Sequence, residues 1–173
     1  MNRVGKFEKV SYEQFHKDMK AEFYETMDAR VANDRITAAY ETVSLPVRAT
    51  GLSAGYDLIA PFDFYLAPGE CVKIPTAIRV QIDPGWFLMI APRSGLGFKY
   101  RVRLANTIGV IDGDYYHSDN EGHIFCKVVN EGDVMMNVKA GEAFAQSIFM
   151  MHGITYDDNV TAVRNGGLGS TGV

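Results

Sequence analysis

The apolar positions of this chain follow two different rhythms. Near the N-terminus Phe15, Met19, Phe23 and Met27 recur at four-residue intervals with Tyr12 beside them. That stripe predicts an amphipathic helix of about four turns. Ser11 precedes it and Gln14 follows three residues on, the pattern of a capping box. Glu13, Lys17, Asp18, Lys20, Glu22 and Glu25 read as its solvated face. Their mixed signs argue against a membrane-surface helix, whose polar face would be rich in Lys and Arg, and favour a helix docked on its own protein.

After about Tyr40 the rhythm shortens to brief apolar runs broken by turn residues. Ile78–Ile82 alternates as a half-buried strand does, and Trp86–Ile90, Ile124–Val129 and Phe144–Phe149 are further strand candidates. Pro68-Gly69, Pro84-Gly85, Glu131-Gly132 and Ala140-Gly141 mark the breaks between strands. No strand–helix alternation and no fixed-period repeat is present, so the pattern predicts an all-β sandwich or jelly roll behind an N-terminal helix.

Length and composition narrow this further. A chain of 173 residues with 47% hydrophobic and 22% charged residues suits one folded domain rather than a disordered segment. With 17 Lys and Arg against 21 Asp and Glu, the net charge of −4 gives no overall attraction to nucleic acid, though a local basic pocket stays open. Cys71 and Cys126 have no CxxC spacing and read as small core residues of a reducing compartment. His16, His117, His123 and His152 form no metal-ligand pattern, and His117 and His123 read as surface positions. The N-terminus lacks a signal-like apolar run and no stretch is long enough to span a membrane, which predicts a cytoplasmic protein.

Five short segments do not resemble ordinary strand or turn sequence. Ala54-Gly55-Tyr56-Asp57-Leu58 puts a carboxylate at the start of an apolar strand. Ala91-Pro92-Arg93-Ser94-Gly95-Leu96-Gly97 joins an Arg and a hydroxyl to small residues whose backbone N–H groups can close on an anion. Asn106-Thr107-Ile108-Gly109-Val110-Ile111-Asp112-Gly113-Asp114-Tyr115 places a carboxylate behind an apolar triplet and ahead of a tyrosine ring, a combination able to hold a water for attack; its plain alternative is an Asp-Gly hairpin turn. Gly141-Glu142-Ala143-Phe144-Ala145-Gln146 carries a neutral amide donor into a strand. Arg164-Asn165-Gly166-Gly167-Leu168-Gly169-Ser170-Thr171-Gly172 ends the chain with groups that can wrap polyphosphate.

In this order and spacing the five segments resemble the motifs of the trimeric dUTPases, from about residue 54 to the C-terminus. The resemblance implies a jelly-roll homotrimer with sites at subunit boundaries, hydrolysing dUTP to dUMP and pyrophosphate by water attack at the α-phosphorus. Such an activity limits uracil incorporation into DNA and supplies dUMP for dTMP synthesis. Asp112 would orient and deprotonate the water, and Tyr115 would lie against the deoxyribose and exclude a 2′-hydroxyl. Asn106, Gly109, Val110 and Ile111 would read the uracil edge. Arg93, Ser94, Gly95 and Gln146 would hold the phosphates, with Asp57 supporting them or the metal's water shell. Arg164, Leu168, Gly169, Ser170 and Thr171 would close over the nucleotide from another subunit. Mg²⁺ would be held through substrate phosphates and water rather than by a protein cage. No nucleic-acid or membrane partner is implied.

The chain departs from the family pattern in three places. Leu168 stands where the tail usually presents Phe. The stretch from Tyr116 to Gly122 is longer than the usual return to the next strand. The leading segment lies outside the resemblance altogether. These boundaries suggest an N-terminal helical extension over 1–38, a β domain over 39–163 and a C-terminal active-site tail over 164–173, with the extension expected to be dispensable for the chemistry. Two other readings compete: a dCTP deaminase-like enzyme, which would need a glutamate base, and a dUTP-binding regulatory protein on the same scaffold.

Overall fold

The computed structural model describes residues 2–162 together with Arg164 and Gly166. Twelve strands form its framework: β1 (Gly5–Lys9), β2 (Val47–Arg48), β3 (Tyr56–Ile59), β4 (Phe64–Leu66), β5 (Cys71–Pro75), β6 (Ile78–Ile82), β7 (Trp86–Pro92), β8 (Val102–Leu104), β9 (Gly109–Ile111), β10 (Phe125–Asn130), β11 (Met136–Val138) and β12 (Ala143–Met151). All strand pairs are antiparallel. A five-stranded sheet in the order β2-β3-β12-β7-β9 stands with a three-stranded sheet β5-β10-β8 and the pairs β1-β6 and β11-β4. The all-β body is therefore as the turn spacing predicts. Gly69, Gly85 and Gly141 take positive φ at three of the predicted breaks, a conformation that a side chain would oppose. Among the described residues no helix is long and apolar enough to cross a membrane.

The leading segment differs from its prediction. The single long helix is instead α1 (Tyr12–Met19), a π-helical turn over Lys20–Tyr24, and a second helix α2 (Ala29–Thr42). Ser11 caps α1 as read, its hydroxyl accepting from the Gln14 N–H. Gln14 does not return the bond; Glu121, far along the chain, accepts from the Ser11 N–H at 2.7 Å. Asp28 starts α2 by accepting from the Arg30 and Val31 N–H groups. Ala32, Ile36 and Ala39 form the buried stripe of α2, and the small alanines explain why the pattern is faint in the sequence.

The segment is also part of the core. β1 pairs residue for residue with β6, bringing Phe7 opposite Val80 and against the rings of Tyr56 and Phe149. Phe15, Met19 and Ile36 are fully buried, while Met27, at the end of the predicted stripe, is exposed. Of the two thiols, Cys126 is buried, which pushes it up to about 12, whereas Cys71 is exposed on β5 and not the core residue expected.

Candidate active site

The predicted site residues gather in two places on the five-stranded sheet. In the first, Gln146 on β12 lies opposite both Asp57 on β3 and Ala91 on β7. β7 ends at Pro92, and Arg93 follows in extended backbone before the short helix α3 (Ser94–Tyr100). The Arg93 Nε is 3.3 Å from Asp57 Oδ1, and the Gln146 amide donates to the Pro92 carbonyl at 3.1 Å. Gly55, Asp57, Arg93, Ser94 and Gln146 line a cavity of about 190 Å³. Gly95 follows Ser94, exposed and with open space where a side chain would begin. A half-exposed guanidinium, a hydroxyl and an amide around so small a space suit phosphate oxygens.

Gly55, in the first of the five segments, borders the same cavity. A Cβ at that position would stand 2.6 Å from Gln146 Oε1, so the missing side chain leaves room for the amide.

In the second place, β9 pairs with β7, setting Gly109 against Ile90 and Ile111 against Leu88. A Cβ on Gly109 would lie 3.0 Å from that of Ile90, so glycine permits the close approach of this edge strand. Val110 points outward and is half exposed. Asn106 is exposed in the turn before β9, where its carbonyl accepts from the Ile108 N–H and Thr107 takes a left-handed φ of 70°. Asp112 follows β9 with an exposed carboxylate and occupies the N-cap position, without a side-chain capping bond, of a 3₁₀ turn over Gly113–His117 that replaces the plain hairpin. That turn buries Tyr115, whose hydroxyl donates to the His123 carbonyl at 2.7 Å and accepts from the Asn120 amide at 2.8 Å. Burial pushes the phenol above its usual value, so it stays a donor.

Arg164 joins this second group. Its Nη1 donates to Asp112 Oδ2 at 2.8 Å and lies 3.4 Å from Asp114 Oδ1, with the guanidinium 5.1 Å from the centre of the Tyr115 ring. Ser118 Oγ donates to the Gly166 carbonyl. Arg164 thus rests on the Asp112 of its own chain, whereas the resemblance implied closure from another subunit. Leu168, Gly169, Ser170 and Thr171 lie outside the described residues.

The two groups are separate within one chain. Asp57 and Ile111 are three interstrand steps apart and offset by three residues along β7, on the order of 17 Å at ordinary sheet spacings. His123 is fully buried rather than on the surface, and Asp18 is not a solvated position: the two are 2.6 Å apart. Neither carries a local sequence signal, because the partner that buries each lies over a hundred residues away.

The dUTPase family model matches residues 41–172. The deoxyuridine 5′-triphosphate nucleotidohydrolase of Tolumonas auensis is 38% identical over 154 residues, covering 84% of this chain and 93% of that protein. The Lactococcus lactis protein of the same name is 38% identical over 133 residues, covering 75% and 89%. The crystal structure of the dUTPase from Streptococcus mutans aligns with a TM-score of 0.62 at 30% identity, covering 86% of this chain and 97% of that one. With the family model spanning most of the chain and carrying both groups of site residues, this protein belongs to the dUTPase family.

Proposed function

We propose that this chain hydrolyses dUTP to dUMP and pyrophosphate by attack of an Asp112-held water on the α-phosphorus, as a homotrimer with sites between subunits, acting in the cytoplasm. The observation that carries the reading is the cavity of about 190 Å³ on which Asp57, Arg93, Ser94 and Gln146 converge from three separate stretches of sequence.

Arg93, Ser94 and Gln146 bind phosphate oxygens there, with the Gly95 backbone beside them. Asn106 and the Gly109–Ile111 backbone take the uracil, the Tyr115 ring takes the sugar, and Leu168 covers the base by aliphatic contact. Asp112 accepts the proton of the attacking water as its oxygen bonds to the α-phosphorus. The bond from that phosphorus to the bridging oxygen breaks, and pyrophosphate leaves. Positioning and charge stabilisation dominate such a reaction, and no covalent nucleophile is needed.

Arg164, already 2.8 Å from Asp112, is drawn away by the greater charge of a triphosphate, which frees the carboxylate for its proton. Ser170 and Thr171 complete the closure, with Gly169 between Leu168 and Ser170. Asp57 lines the phosphate cavity with its carboxylate held by Arg93, a position that fits the water shell of Mg²⁺ on the phosphates. That ion would supply neutralisation of the charge developing on the leaving group. The separation of Arg93 from Asp112 within a chain supports sites completed by a second copy.

Hydrolysis in ¹⁸O-labelled water tests the chemistry. Attack at the α-phosphorus puts the label in dUMP and none in pyrophosphate; label in pyrophosphate would overturn it.

A further inference from the structure

The leading segment precedes the family match, which begins at residue 41, and the structure fastens it to the return after Tyr115. Glu121 accepts from both the backbone N–H and the hydroxyl of Ser11, at 2.7 and 2.6 Å. Tyr116 donates its phenol to Glu8 of β1 at 2.6 Å. Asp18 of α1 lies 2.6 Å from the Nδ1 of His123, whose ring packs beside Phe15.

The hydrogen bonds around His123 fix its role. The Ala77 N–H donates to Nε2 at 2.8 Å, so that nitrogen carries the lone pair and the proton sits on Nδ1. Asp18 Oδ2 accepts that proton's hydrogen bond and a second one from the Gln14 amide at 2.8 Å. His123 is thereby held at both ring nitrogens, and its carbonyl is the acceptor for the Tyr115 hydroxyl. Gly122, next to it, has φ of 71°, and a Cβ there would stand 2.8 Å from the Tyr115 carbonyl. The return is therefore packed tightly against the tyrosine it anchors.

We infer that the N-terminal helix is a positioning element for sugar selection: Asp18, acting through His123, sets where the Tyr115 ring stands and so how strictly a 2′-hydroxyl is refused. This rests on the proposed contact of Tyr115 with the deoxyribose. Asp18 and His123 touch no substrate; they act through the tyrosine hydroxyl. A ring anchored at its far end presents a fixed wall, whereas a ring released there can yield to a ribose.

The test is the ratio of kcat/KM for dUTP to that for UTP, measured on the full chain. Asp18→Ala should lower the ratio about tenfold, mainly through better use of UTP, within the discrimination that a pocket wall gives against an added hydroxyl. Asp18→Asn keeps an acceptor oxygen for both His123 and Gln14 and should restore the ratio to within about twofold of wild type. A merely structural role would leave the ratio unmoved. Should Asp18→Ala fail to fold, Tyr115→Phe removes the anchored hydroxyl directly and should lower the ratio similarly. If Tyr115→Ala leaves the ratio unchanged, the sugar contact itself is wrong. If Tyr115→Ala lowers it while Asp18→Ala, or in its place Tyr115→Phe, does not, the positioning role is overturned and the sugar contact stands.

Discussion

Asp112 stands at the end of an edge strand with its carboxylate exposed and a guanidinium against it, where it can meet both solvent and a bound phosphate. Replacing it with Asn keeps the shape and removes the capacity to take a proton. Asp112→Asn should still bind dUTP while turnover falls about 100- to 10,000-fold, the range for a lost general base; single-turnover kinetics beside a binding measurement would show it, and a loss below tenfold would move the role elsewhere. Gly55→Ala acts on the other group. The new methyl would meet the far end of the Gln146 side chain, which can swing aside, so melting should shift little while KM for dUTP rises severalfold. An unchanged KM would take Gln146 out of phosphate binding. Asp57, Arg93, Asp112 and Gln146 stood out in the sequence because each sits in a short motif of unusual chemistry, and the structure brings the first, second and fourth together around one cavity. His123 and Asp18 did not, since their burial comes from the docking of α1 onto a turn far along the chain.

At the scale of elements, strand spacing was legible to within a residue or two: Ile78–Ile82 is observed as read, and Trp86–Ile90 extends only to Pro92. The leading segment was legible in part. Its helix start at Ser11 holds, but β1 was hidden in a charged five-residue run whose pairing partner lies some seventy residues on. The expected dispensability of residues 1–38 meets a physical objection. Phe7, Val10, Phe15, Met19 and Ile36 are all buried. At about 1.5–3 kcal/mol for each large side chain they contribute roughly 7–15 kcal/mol, as much as a whole domain's net stability. The truncated chain should lose its cooperative melting transition and aggregate; a soluble truncation melting like the full chain would contradict this.

The same junction has an acid-sensitive component. Hydrogen bonds from Lys6, Tyr116 and Arg79 hold the Glu8 carboxyl at about 2, below its ordinary 4.5, against the opposing effect of burial. A depressed carboxyl stabilises the fold above its unfolded value and loses that effect as pH falls from 4.5 towards 2. Melting temperature followed over that window should drop less steeply in Glu8→Gln than in the wild-type chain, and parallel curves would remove Glu8 from the account.

For the whole molecule, the proposed assembly rests on no residue pattern, because a surface that would meet another copy looks locally like any other surface. The separation of Arg93 from Asp112 makes it testable. Let one chain carry Arg93→Ala and the other Asp112→Asn, each inactive alone. In a cyclic trimer whose sites take the two residues from neighbouring chains, every mixed trimer holds one intact site. Equal random mixing makes about three-quarters of trimers mixed, so roughly one-quarter of wild-type activity should return. No recovery in verified mixed trimers would place both residues of a site in one chain.

Hydrolysis of dUTP is read out by pyrophosphate release. Purified full chain should release pyrophosphate and dUMP in equal amounts from dUTP in the presence of Mg²⁺, with far less from dCTP, dTTP and UTP and none above background from Asp112→Asn. Absence of release from dUTP, or release of ammonia from dCTP in its place, would contradict the account.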